Sequence, residues 1–179
     1  RGTAADVELD RVLGRVVDAI AHLSVPVFAA IEGPCVGAAV ELAVACDMRV
    51  AGAGSYFQVP AAMLGLLYRP SGTARLVAEL GRQTVSRLLV CGERISADDA
   101  RAAGIVAQIV STGEAFACAL ALATVAAGGD PDAVRLNKQL ITELAGGTSV
   151  RAEWEPRRMR QLSSDARRRA VADAKARVK

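Results

Sequence analysis

Residues 26–51 constrain the fold more than any other part of this chain. An apolar, strand-like run, Val27-Phe28-Ala29-Ala30-Ile31, ends in the breaker sequence Glu32-Gly33-Pro34-Cys35. A second apolar run follows from Val36 to Cys46 and reads as a short helix from about Ala38 to Cys46. Glu41 is its only charge. Taking an ionised carboxylate out of water without a partner costs several kcal/mol or more, so this position predicts a raised pKa. A carboxyl group of that kind is poised to give or take a proton near neutral pH. The plain alternative is a structural carboxylate paired with a distant arginine.

The rest of the chain alternates between strand and helix patterns. Residues 4–23 read as an amphipathic helix with Val7, Val12, Val16, Ala19, Ile20 and Leu23 on one stripe. Met48-Arg49-Val50-Ala51 and Tyr56-Phe57-Gln58-Val59 read as two strands, and Leu64 to Pro70 as a pocket-rim loop. Helices are expected at about 72–80 and 83–91. Ser96-Ala97-Asp98-Asp99 resembles a capping box, with Asp in place of Glu, and opens a helix that Gly104 ends. Ile105 to Val110 reads as a strand, and three helices fill about 114–127, 131–145 and 149–176. The pattern predicts an α/β fold with an all-helical C-terminal part. We divide it into a core over 1–110 and a helical region over 111–179.

Composition narrows the chemistry. The 179 residues are 52% hydrophobic, enough for one sizeable core. No apolar run reaches the ~18 residues of a membrane span, and Arg1-Gly2-Thr3 does not open a signal peptide, which predicts a cytoplasmic protein. His22 is the single histidine, and Cys35, Cys46, Cys91 and Cys118 form no CxxC pair. Zinc sites, Ser-His-Asp triads and Cys-His dyads therefore lack their parts, and no metal is expected. Residues 151–179 carry ten Lys/Arg against four Asp/Glu, within a chain of net charge +3. Such a tail suits phosphate-bearing ligands or an acidic partner.

The stretch from Pro26 to Ala51 resembles the signature of the enoyl-CoA hydratase/isomerase (crotonase) family. Leu64-Gly65-Leu66, Gly72-Thr73-Ala74-Arg75-Leu76, Gly92-Glu93-Arg94-Ile95-Ser96-Ala97 and Ala103-Gly104-Ile105-Val106 follow in the family's order and spacing. The resemblance implies a spiral of ββα units followed by C-terminal helices that build a trimer or hexamer. It implies an acyl-CoA thioester substrate, with coenzyme A as part of the substrate and no separate cofactor. The shared chemistry is stabilisation of a thioester enolate by two backbone N–H groups. The resemblance puts one donor at Ala38, after Gly37. A free N–H at a helix start favours developing negative charge, and Gly37 permits close approach of the backbone. The second donor belongs to an upstream Ala-Gly-x-Asp segment. Neither it nor the family's N-terminal strands are in this chain, so a partial family fold is expected.

Two departures shape the expected reaction. Hydratases of the family use two glutamates. Glu41 matches the first, but Ala61 stands where the second would follow Val59-Pro60. The Pro-Gly-Ala-Gly-like stretch before Gly72 reads Tyr68-Arg69-Pro70-Ser71, which puts Arg69 beside the place of the catalytic water. One carboxylate does not hold a water and relay its proton, so an isomerase or lyase is expected over a full hydratase. Arg69 is a candidate partner for a substrate carboxylate. Gly37, Val40, Pro60, Ala61, Leu64, Tyr68 and Arg69 are the expected substrate-contacting residues, with Glu41 and Ala38 the catalytic pair.

Other features have plain readings. His22 reads as a surface or capping histidine, Asp47 as a turn residue and Trp154 as packing. Arg157-Arg158 and Arg167-Arg168-Arg169 read as a solvated helix face or inter-subunit contact, ahead of CoA phosphate or nucleic-acid binding. The alternatives to an enzyme are a catalytically weak acyl-CoA binder and, further off, an RNA-binding family member.

Overall fold

The computed structural model describes residues 3–147 and 149–177. Two small sheets organise the core. In the first, β1 (Phe28–Ile31) lies parallel to β3 (Met48–Gly52), which lies parallel to β6 (Gln108–Val110). In the second, β2 (Pro34–Val36) is parallel to β4 (Tyr56–Gln58), and β4 is antiparallel to β5 (Ile95–Ser96). The chain passes from sheet to sheet and then into a helix, twice. The first turn is β1, β2, α2 (Ala38–Val44); the second is β3, β4, α3 (Pro70–Leu89). Parallel neighbours need such crossovers, which cover both faces of the sheet. This is the expected crotonase-type α/β spiral.

Both faces of β3 are buried, with Arg49 the one charged residue in it. Ala51, Phe57, Val59, Leu76, Leu88 and Ile105 belong to the main core on one side. On the other, Val50 packs with Ala115 and Ala119 of α5 (Ala115–Ala127). Alanines one helical turn apart let α5 approach the sheet closely. The Glu32 carboxylate, at the end of β1, accepts the Ala115 N–H at 2.9 Å and so caps α5 from 83 residues away.

Two charged side chains fasten the connections. Arg49 is buried, and its Nε and Nη1 donate to the carbonyls of Ile105 (2.5 Å) and Cys46 (2.8 Å). It holds α2's C-terminal end, where a cation is favoured, against the segment leading to β6. Asp47 accepts the Val27 N–H at 2.6 Å and the Lys138 Nζ at 2.7 Å. That ties the entry to β1 to α6 (Pro131–Ala145) and matches the turn role expected of Asp47.

Several expected elements need correction. The first helix, α1 (Thr3–Ala21), buries Val17 and Ala21 with Leu13 and Ile20 partly covered, while Val7, Val16 and Leu23 stay exposed. The apolar stripe is rotated by one residue because α1 packs against Leu42 and Ala45 at the far end of α2. The Pro34-Cys35 turn contains β2, and Ile95-Ser96 is a two-residue strand. The strand expected from Ile105 begins at Gln108. The expected helices at 72–80 and 83–91 meet at Gly81, whose φ of 74° breaks the helical path. Residues 149–176 form two helices, α7 (Trp154–Leu162) and α8 (Asp165–Arg177). The break sits at Ser164, whose hydroxyl accepts the Arg167 N–H at 3.2 Å as a helix cap does. The Ser96 cap on α4 (Ala97–Ala102) forms as expected, from the Asp99 N–H at 3.2 Å.

Candidate active site

Gly37 links β2 to α2 with φ 62° and ψ −123°, a conformation open to glycine and strained for other residues. Its N–H donates to the Gln58 carbonyl at 2.8 Å, which ties the turn to β4. The first α2 N–H to find an acceptor in this turn is that of Val40, bonded to Gly37 O at 3.1 Å. The N–H groups of Ala38 and Ala39 therefore have no intrahelical acceptor. Both residues are exposed.

Glu41 closes the first turn of α2 and is 1% exposed. Its burial is as expected; its isolation is not. The Tyr68 hydroxyl donates to Oε2 at 2.9 Å, and Arg69 Nη2 donates to Oε1 as an ion pair. The distant arginine of the plain alternative is thus Arg69, itself assigned from sequence to the substrate. Burial, and then the negative charge of Glu41, push the Tyr68 phenol well above its ordinary pKa. Tyr68 stays a donor across the working pH range. The carboxylate also rests against Gly72 in the first turn of α3, where a Cβ would stand 2.6 Å from Oε1 and 2.8 Å from Oε2.

The remaining expected residues divide. Val40 and Ala61 are buried in the main core, and Tyr68 packs against it. Pro60 is half-buried, and Leu64 is 76% exposed on a single 3-10 turn, Ala62–Leu64. Glu41, Tyr68 and Arg69 meet directly; Gly37, Ala38 and Val40 share α2's first turn with Glu41. Among the described residues, Leu64 forms no hydrogen bond with any of these; its N–H donates to the Pro60 and Ala61 carbonyls at 3.1 Å. Cys35 is buried, and burial raises its thiol pKa to about 11, so it stays protonated near neutrality. His22 is exposed at the end of α1, its Nδ1 2.7 Å from Asp18 O. Two residues went unassigned from sequence. Gly72 leaves room for the carboxylate. Gly14 in α1 leaves room for Arg69, since a Cβ there would stand 2.0 Å from Nη1. A lone glycine inside a helical stripe was the available signal for the second.

Comparison with known proteins identifies the family. A family profile for enoyl-CoA hydratase/isomerase matches residues 4–167, and the chain belongs to that family. The 2,3-dehydroadipyl-CoA hydratase of Escherichia coli (strain K12) is 35% identical over 118 residues, 66% of this chain and 46% of that protein. The short-chain-enoyl-CoA hydratase of Clostridium acetobutylicum is 34% identical over 119 residues, with 66% and 46% covered. The chain thus spans about half the length of the curated relatives it matches. Among solved structures, an enoyl-CoA hydratase/carnithine racemase from Magnetospirillum magneticum superposes with a TM-score of 0.89 at 28% identity, covering 98% of this chain and 66% of that one. An enoyl-CoA hydratase from Polaromonas sp. JS666 gives 0.87 at 28%, covering 99% and 70%. No helix among the described residues is long and apolar enough to cross a membrane.

Proposed function

We propose that the protein works on an acyl-CoA thioester through an enolate, with Glu41 as its single acid/base. The Ala38 N–H is one donor to the thioester oxygen, where charge develops, and such a donor lowers a barrier by ~3–4 kcal/mol. Glu41 takes a proton from the carbon beside the thioester and returns it elsewhere on the enolate. Returning it two carbons further along an enoyl chain moves the double bond, an isomerisation. In a lyase, C–C cleavage leaves its electron pair on the enolate, and a protonated Glu41 delivers the proton. Gly37, Val40, Pro60, Ala61, Leu64 and Tyr68 would border the acyl group. Coenzyme A enters as part of the substrate, and assembly as a trimer or hexamer follows the family's habit.

The observation that carries this reading over hydration is Ala61. It is 5% exposed and has no carboxylate to offer a water. The relatives named above are hydratases by name, which favours hydration, so the preference for isomerase or lyase rests on Ala61 alone. A second reading, an acyl-CoA binder of weak activity, is favoured by one contact, the Arg69–Glu41 ion pair. The test uses full-length protein with 2-enoyl- and 3-enoyl-CoA in H2(18)O. Interconversion of the double bond without 18O uptake supports the isomerase. Hydration with 18O at a rate matching or exceeding interconversion sinks it, and thioester binding without conversion leaves the binder.

A further inference from the structure

Arg69 carries a question that the acid/base reading leaves open. Both oxygens of Glu41 are engaged, one by Tyr68 and one by Arg69. Each oxygen keeps a second lone pair, but a proton taken up by Glu41 cancels the charge that pairs with Arg69, so proton transfer and this ion pair compete. Arg69 is 13% exposed, so stripping its carboxylate leaves a nearly buried cation unpaired, which is strongly unfavourable. A neutral acyl chain offers the guanidinium nothing in return.

Arg69 has donors to spare. Its Nε is buried without a partner among the described residues, and its Nη1 has only a marginal contact with Asp10 O at 3.5 Å. Gly14 provides a notch for the Nη1 end, so the guanidinium's position is built by α1 as well as by Glu41. An arginine held this way, with an unused Nε–H, is suited to two-point recognition of a carboxylate.

We propose that the substrate is an acyl-CoA whose acyl group carries its own carboxylate, and that this carboxylate displaces Glu41 from Arg69. The exchange keeps the guanidinium paired throughout and frees one Glu41 oxygen for proton transfer. Arg69 is then both the specificity determinant and a latch that releases the base when the right substrate arrives. Rejection of neutral chains follows from the unpaired charge they would leave, a repulsive element rather than a missing attraction. The inference rests on Glu41 being the base, but its binding half is measurable without catalysis.

The experiment is calorimetric titration of full-length protein with matched pairs: adipyl-CoA with hexanoyl-CoA, and succinyl-CoA with butyryl-CoA. Wild type is expected to bind the carboxylated member of each pair about tenfold or more tightly. Glu41→Gln removes the competitor for Arg69, so it should bind the carboxylated member about tenfold more tightly still, with the neutral member unchanged within about threefold. Arg69→Gln should abolish the preference. Should that variant not fold, Glu41→Gln/Arg69→Gln, which leaves neither charge unpaired, is expected to lose the preference as well. Equal binding within each pair by wild type, or weaker binding of the carboxylated member by Glu41→Gln, overturns the proposal. Preference without any proton exchange beside the thioester would keep Arg69 as the receptor and sink Glu41 as the base.

Discussion

Gly72→Ala tests the site through packing alone. Gly72 lies in the first turn of α3, outside the positive-φ glycines, so alanine is conformationally allowed there. Helix propensity by itself favours the change by up to ~1 kcal/mol. The structure opposes it. The new Cβ would stand 2.6 Å from Glu41 Oε1, where ordinary contact begins at 3.4 Å, a deficit of about 0.8 Å. The carboxylate has nowhere easy to go, because Tyr68 and Arg69 hold its two oxygens. Overpacking of this kind costs ~1–3 kcal/mol, and more if the ion pair is broken. We expect a net loss of about 1–2 kcal/mol, read from urea midpoints at fixed protein concentration. Repeating the substitution in a Glu41→Ala background removes the clash, so the same change should there be neutral or slightly stabilising. The double-mutant cycle should return a coupling of roughly 2 kcal/mol. A Gly72→Ala variant as stable as wild type, or a loss that persists without Glu41, would refute the geometry.

Three further outcomes are expected. Arg49→Met should lower stability by about 2–4 kcal/mol in denaturant titration, since it strips the carbonyls of Ile105 and Cys46 of a buried charged donor; Arg49→Lys should recover only part of this, because one ammonium lacks the guanidinium's span. Brief alkylation at neutral pH, followed by mass spectrometry, should mark exposed Cys91 well before Cys35, whose pKa of about 11 leaves almost no thiolate; labelling of Cys35 should rise steeply as pH climbs toward that value. The Glu143 carboxylate sits below its ordinary pKa of 4.5, chiefly through the Trp154 indole N–H and then Arg151. A lowered folded pKa stabilises above the unfolded value and the contribution fades as pH falls through the folded one, so fluorescence of the single tryptophan should hold steady down to pH 4.5 and change only below it.

The spine of the fold was legible in the sequence. Strand, breaker, short helix and strand between Pro26 and Ala51 each carry their own signal, and they form in order. What was illegible was short or relational. β2 and β5 have three and two residues, too few to show a period, and β2 begins with a proline. In α1, Val16 and Val17 are adjacent, so a 3.6-residue period fits either stripe; contact with Leu42 and Ala45 decides between them. The site shows the same division. Glu41, Tyr68 and Arg69 were all named from sequence, yet the bond between Glu41 and Arg69 spans 28 positions and no local pattern announces it. Sequence chose the residues, and packing chose their partners.

The most direct measurement is deuterium uptake beside the thioester. Full-length protein and its Glu41→Gln variant would be incubated in D2O with carboxylated and neutral acyl-CoA thioesters and followed by mass spectrometry. Loss of a positioned acid/base removes ~10²–10⁴-fold of rate, so we expect wild type to exchange and Glu41→Gln to fall by at least two orders of magnitude while still binding the thioester. Exchange by Glu41→Gln at the wild-type rate would contradict the account and move the proton-transfer role to another residue.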